Sequence, residues 1–232
     1  MIKMPRSPGS RSLWIFAVAL VALYVMLAVV VRIAPDNGID RSVAEWISGW
    51  DVPVLDATME WVSWFTDLRP RLVLGFIAAT GLALSGHHRL AALTGAVAAV
   101  IAVPVNGLDL YGGIVADRIR PNGAPFLAYP SGHTLGTIVQ YGFAIFLAFR
   151  LGLGRRVLVP LVALLALPMI LVGPARLLVG VHWSTDVLGA YLLGAATIIV
   201  VHLLFGIGER WLDGRGLLED ASSQARPQSA HY

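Results

Sequence analysis

No cysteine occurs anywhere in the chain, which excludes disulfides, thiol catalysis and cysteine-ligated metals. Charge is scarce as well: 13% of the 232 residues are Asp, Glu, Lys or Arg, against about 25% in a soluble globular domain. That balance excludes a water-soluble fold and implies an integral membrane protein. Lysine is nearly missing, with Lys3 alone against sixteen arginines. The arginines are scattered, and no basic stripe with interleaved aromatics marks a nucleic-acid partner. No cluster of carboxylates suggests a metal site, so no metal or other cofactor is expected.

Apolar residues are abundant, at 57% of the chain. A spanning helix needs about 20 of them in a row. Six stretches qualify or nearly so: 13–32, 70–86, 89–108, 133–150, 156–175 and 184–206. The second is the shortest. The expected fold class is all-α, a polytopic membrane protein with six transmembrane helices. Residues 13–206 would form one membrane domain, between an N-terminus of residues 1–12 and a polar, disordered tail over 207–232. The first span follows Lys3, Arg6 and Arg11 but is long for a signal-peptide core. No small-x-small cleavage site follows it, so it reads as a retained anchor.

Six spans put both termini on one side. Ten Lys and Arg residues fall on the side of the termini and seven on the other. The positive-inside bias then places both termini in the cytoplasm, with the protein in the cell membrane. Residues 33–69 would lie outside. There Trp46, Trp50, Trp61 and Trp64 recur with acidic residues between them. This pattern reads as an amphipathic segment at the interface, where tryptophan prefers to sit.

Ionisable residues near apolar spans are costly and mark functional sites. Three clusters share the predicted outer face. "ADRIRPNG" carries Arg118 and Arg120 after the third span. "YPSGH" opens the fourth span with Ser131, Gly132 and His133. "ARLLVGVHWSTD" carries Arg176 at the end of the fifth span, then His182 and Asp186 four residues apart at the start of the sixth. Residues at that spacing share one helix face. Each cluster alone has a plain reading as anchor, helix cap or capping pair. Together they suit phosphoryl transfer.

The transition state of that reaction spreads charge over three equatorial oxygens. Arginine forks such as Arg120 and Arg176 match those oxygens. Gly132 lets backbone approach an oxygen, the first amides of a helix favour an anion, and Ser131 adds a hydroxyl donor. One histidine can attack phosphorus if its far nitrogen is free and its near N–H is held. Asp186 is placed to hold His182 that way, and His133 can protonate the leaving oxygen.

These clusters resemble the type 2 phosphatidic acid phosphatase (PAP2) superfamily, which also includes vanadium-dependent haloperoxidases. Its signature has three parts: Lys, six residues, Arg-Pro; Pro-Ser-Gly-His; and Ser-Arg, five residues, His, three residues, Asp. The second part is complete at Pro130 to His133. The third is present as Arg176, His182 and Asp186, with Ala175 in the serine position. The first is partial, since Arg120 and Pro121 match but the lysine position holds Gly113. The resemblance covers roughly 70–206 plus the first span.

The resemblance implies a metal-independent membrane phosphatase acting on a lipid phosphate at the outer face. It implies that His182 forms a phosphohistidine, Asp186 supports it and His133 is the acid. It further implies that Arg120, Ser131, Gly132 and Arg176 bind phosphate. Arg118 is the expected substitute for the missing lysine; the alternative is an ordinary supporting residue, since the family often has an arginine there too. Expected substrates are a polyprenyl diphosphate, phosphatidic acid or phosphatidylglycerol phosphate, with membrane lipids as the surroundings. The alternatives are transfer to a lipid or sugar acceptor, a silent lipid-binding or transport protein of the same fold, and a serine hydrolase built on Ser131.

Overall fold

The computed structural model describes residues 9–35, 37–50, 53–88, 91–92, 94–95, 118–124 and 128–213. Seven helices are delimited among them: α1 Ser10–Ile33, α2 Gly38–Ser48, α3 Pro53–Phe65, α4 Leu68–Leu84, α5 Gly132–Arg150, α6 Arg155–Leu178 and α7 Ser184–Asp213. Four of them, α1, α5, α6 and α7, are long and apolar enough to cross a membrane. The chain is thus a multi-pass membrane protein built from helices. The expected second span corresponds to α4, whose 17 residues reach only about 25 Å at 1.5 Å each. The expected third span and Gly113 lie outside the described residues, apart from 91–92 and 94–95. The last helix continues past 206 to Asp213, and 214–232 lie outside the described residues.

Helix α5 is the centre of the bundle and packs against both α6 and α7, while α1 lies along α7. Leu135, Val139, Phe143 and Leu147 of α5 meet Leu82 of α4 and Ala190 of α7. Small residues let these backbones approach, as membrane helices require. A Cβ on Gly194 of α7 would stand 2.7 Å from Ile138 of α5. The outward faces are apolar and bare: Ile15, Phe16, Val18 and Met26 of α1 and Val159, Leu164 and Ile170 of α6 are all exposed. Such faces are stable only against lipid. Pro174 inside α6 removes the amide that would bond the Ile170 carbonyl. The Tyr191 hydroxyl approaches from α7 and donates to the neighbouring Met169 carbonyl at 2.7 Å.

Helices α2 and α3 cover one end of this bundle. α3 packs on α6, and α2 touches both α6 and α7. Trp46, Trp50, Trp61 and Trp64 are exposed; Trp46 of α2 meets Trp50 just past its end, and Trp61 meets Trp64 within α3, both edge to face. What α2 buries is Asp40, at 1% exposure.

Candidate active site

The site is assembled from the α3–α4 turn, the loop segments 118–124 and 128–131, the starts of α5 and α7 and the end of α6, with Asp40 of α2 and Ser63 of α3 packed behind them. In the loop, Pro121-Asn122-Gly123 makes a tight turn, with Gly123 at a positive φ of 74° and its amide on the Arg120 carbonyl at 3.0 Å. The Ala128 amide donates to the Arg118 carbonyl at 3.0 Å. Trp183 fixes the loop to α7 by donating its indole N–H to the Ile119 carbonyl at 2.9 Å. Ser131 ties α5 to the same place, its amide on the Asp186 carbonyl at 3.1 Å.

His182 is buried just before α7. Its Nδ1 lies 3.0 Å from the Ala128 carbonyl. A carbonyl only accepts, so Nδ1 carries the proton and the lone pair of the neutral ring is on Nε2. Asp186 Oδ2 stands 3.6 Å from the same Nδ1, beyond a hydrogen bond but close enough to act as a charge. Burial pushes the His182 imidazole below the ordinary histidine value; Asp186 pulls it back up, and Arg176 and Arg120 push it further down. The expectation that Asp186 itself holds the ring proton is therefore corrected: the backbone holds it, and Asp186 supplies charge.

Asp186 has a second duty. Its Oδ2 accepts the Trp183 amide at 2.8 Å, the reciprocal half of a capping box at the start of α7. Trp183 in the N-cap position offers no side-chain acceptor. Asp40 of α2 fills that role from outside, accepting the Thr185 amide at 2.9 Å and the Ser184 and Thr185 hydroxyls at 2.5 and 2.6 Å. Burial pushes the Asp40 carboxyl up, but the hydrogen bonds from Ser184, Thr185 and Arg118 outweigh it and hold it at about 2.

Arg118 is turned inward. Its guanidinium bonds Asp40 Oδ2 at 2.6 Å, Thr185 Oγ1 at 2.6 Å and Asp186 Oδ1 at 3.2 Å, and it covers the Trp183 ring at 4.9 Å. An alternation of two in an extended loop would aim Arg118 and Arg120 alike. Arg118 is instead bonded to two buried carboxylates, Asp40 and Asp186. Arg120 is half-buried and its charge bears on both Arg176 and His182. Arg176 is buried at the end of α6 and donates to the Ser63 hydroxyl of α3.

Ser131 and Gly132 are buried at the N-terminus of α5. Ser131 holds the N-cap position without a side-chain cap bond. Its hydroxyl instead accepts from Thr134 Oγ1 at 3.1 Å. His133, in the first turn of α5, is partly exposed and meets Asp67 Oδ1 at 3.5 Å from its Nε2. Asp67, in the turn between α3 and α4, was not expected in the site. An acidic residue just ahead of an apolar span was the available signal in "FTDLRP". Ser63 and Asp40 lay in the segment read as amphipathic and interfacial, and only their burial sets them apart. Among the described residues, no group of three or more His, Asp or Glu side chains is spaced to hold a metal ion.

Comparison with known proteins adds two findings. A family model described as the PAP2 superfamily matches residues 63–207. The fold is similar to the crystal structure of the first transmembrane PAP2-type phosphatidylglycerolphosphate phosphatase from Bacillus subtilis. That likeness has a TM-score of 0.68 and 22% sequence identity, over 84% of this chain and 96% of the other. No curated protein matches the chain.

Proposed function

This chain belongs to the PAP2 superfamily, and on that premise we propose that it is an integral membrane phosphatase. It hydrolyses a phosphomonoester or diphosphate of a lipid through a phosphohistidine on His182. The observation that carries the reading is the His182 ring itself: Nδ1–H is held by the Ala128 carbonyl at 3.0 Å, so Nε2 is the nucleophilic nitrogen.

In the first step Nε2 attacks the terminal phosphorus and its bond to the leaving oxygen breaks, that of the lipid in a monoester or of the lipid monophosphate in a diphosphate. His133 donates a proton to that oxygen. The His182 ring becomes cationic as it binds phosphorus, and the Asp186 carboxylate at 3.6 Å stabilises it. In the second step water attacks phosphorus, His133 takes its proton, and the N–P bond breaks to release inorganic phosphate. Arg120 and Arg176 hold the equatorial oxygens, with the Gly132 amide and the Ser131 hydroxyl completing the cradle. No metal or cofactor enters these steps.

The substrate is a polyprenyl diphosphate, phosphatidic acid or phosphatidylglycerol phosphate. The similar Bacillus subtilis protein is a phosphatidylglycerolphosphate phosphatase, which favours the last. The chain crosses the cell membrane six times, with α2 and α3 at the outer interface, both termini in the cytoplasm and the site at the outer face. The full chain in detergent, offered a panel of lipid mono- and diphosphates, releases phosphate in EDTA and is blocked by vanadate. Absence of release from every member of the panel, or release that requires a divalent metal, overturns the reading.

A further inference from the structure

Asp40 belongs to none of the clusters that carry the reaction, yet it is among the most thoroughly bonded side chains in the described residues. Besides Ser184 and Thr185 it binds Asn37 Nδ2 at 2.6 Å and Arg118 Nη2 at 2.6 Å. Arg118 therefore lies between two carboxylates, with Asp40 at 2.6 Å and Asp186 at 3.2 Å. Asp40 has the closer hold.

We propose that Asp40 is a positioning residue of the reaction: by binding Arg118, it sets how much of its negative charge Asp186 presents to His182. The inference rests on the reading of His182 as the nucleophile. All three members of the chain Asp40–Arg118–Asp186 are buried, so their charges are weakly screened. Together they carry one net negative charge beside a ring that must become cationic.

The other charged groups facing His182 are Arg120 from the loop, Arg176 from the end of α6 and His133 from α5. Both arginines oppose an imidazolium. Without Asp40, Arg118 is free to close on Asp186 and cancel it, and His182 is left among uncompensated arginines. Asp40 thus ties α2 to the nucleophile at a distance.

A helix cap alone would also explain a buried carboxylate at the start of α7. Asparagine caps a helix as well as aspartate does. Asp40→Asn keeps an acceptor oxygen for the Thr185 amide and the Ser184 hydroxyl, and removes the charge together with the acceptor for Arg118, which separates the two roles.

The test follows His182 directly in the full chain in detergent, by ring-13C histidine NMR titration, with the signal assigned by its loss in His182→Gln. Asp40→Asn lowers the titration midpoint by about one pH unit, and Asp40→Glu restores it. The double variant Asp40→Asn/Arg118→Met, which removes one charge of each sign, returns it close to the starting value. In phosphate release, Asp40→Asn lowers kcat about tenfold and leaves KM unchanged.

A lower melting temperature with an unmoved midpoint overturns the inference and leaves Asp40 a cap. Where the single variant fails to fold, a lowered midpoint in the double variant overturns it equally. A shifted midpoint in a chain that releases no phosphate from any lipid phosphate leaves the charge coupling standing and overturns the phosphatase reading instead.

Discussion

The Ala128 carbonyl lies 3.0 Å from His182 Nδ1, nearer than the Asp186 carboxylate at 3.6 Å. The backbone fixes the tautomer, and the carboxylate adds charge. In a triad where the carboxylate alone fixes the tautomer, replacing it by an amide costs about 10⁴ in kcat, because the ring turns over to the wrong form. Asp186→Asn in this chain keeps the tautomer. Its kcat falls about 100-fold, whereas His182→Ala has no measurable release. A loss in Asp186→Asn as complete as that of His182→Ala returns tautomer control to the carboxylate.

Acid sensitivity follows from the same ring. In the unfolded chain His182 titrates at about 6.5; in the fold burial pushes it lower. Below about 6.5 the unfolded chain binds a proton that the folded chain refuses, so stability is full above that pH and falls as pH drops toward the folded value. Thermal unfolding in detergent between pH 8 and 5 shows the decline, and His182→Gln flattens it. Asp40 adds a second loss further down. Its contribution is complete above the ordinary carboxylate range and disappears as pH falls toward about 2.

His133 has a carboxylate neighbour of its own in Asp67, 3.5 Å away. An adjacent carboxylate favours the protonated ring that a general acid must present. Asp67→Asn lowers kcat about tenfold for a lipid phosphate, whose leaving alkoxide needs a proton. It changes little for 4-nitrophenyl phosphate, whose leaving group departs unaided. Equal losses on both substrates assign Asp67 to phosphate placement instead.

Tyr129 sits directly before the Pro130 that leads into α5, fully buried, stacked on Tyr24 at 5.5 Å and bonded to its carbonyl at 2.9 Å. A Cβ on Gly189 would come within 2.6 Å of its ring. The ring is held on both sides and has nowhere to go. Gly189→Ala destabilises the fold by about 1–3 kcal/mol through overpacking, read as a lower midpoint in denaturant. Because Ala128 precedes Tyr129, phosphate release falls with it. An unchanged midpoint shows that the ring has room to retreat.

Much of this molecule is legible along the chain. Runs of apolar residues place four helices long enough to cross a membrane within a few residues of their ends, because the cost of backbone polar groups in lipid permits little else. The grouping of Arg120, Ser131, Gly132, His133, Arg176, His182 and Asp186 was equally open to reading. Ionisable groups beside apolar spans are costly enough to stand out, and helix periodicity puts His182 and Asp186 one turn apart. The family follows from the same residues, and the match over 63–207 agrees.

What only the folded chain decided is which partner each polar group chose. Arg118 reads as a second phosphate ligand by spacing, but two carboxylates 78 and 68 residues away in sequence draw it inward. Asp40 and Asp67 read as interfacial residues of an aromatic segment, yet one is bound to Arg118 and the other faces His133. The ring proton of His182 goes to a backbone carbonyl, which no side-chain pattern can announce. Periodicity and hydropathy are local properties and survive in one dimension. The pairing of buried charges depends on which segments the fold brings within about 3 Å of one another, and that is settled only when α2, the loop segments 118–124 and 128–131 and α7 meet.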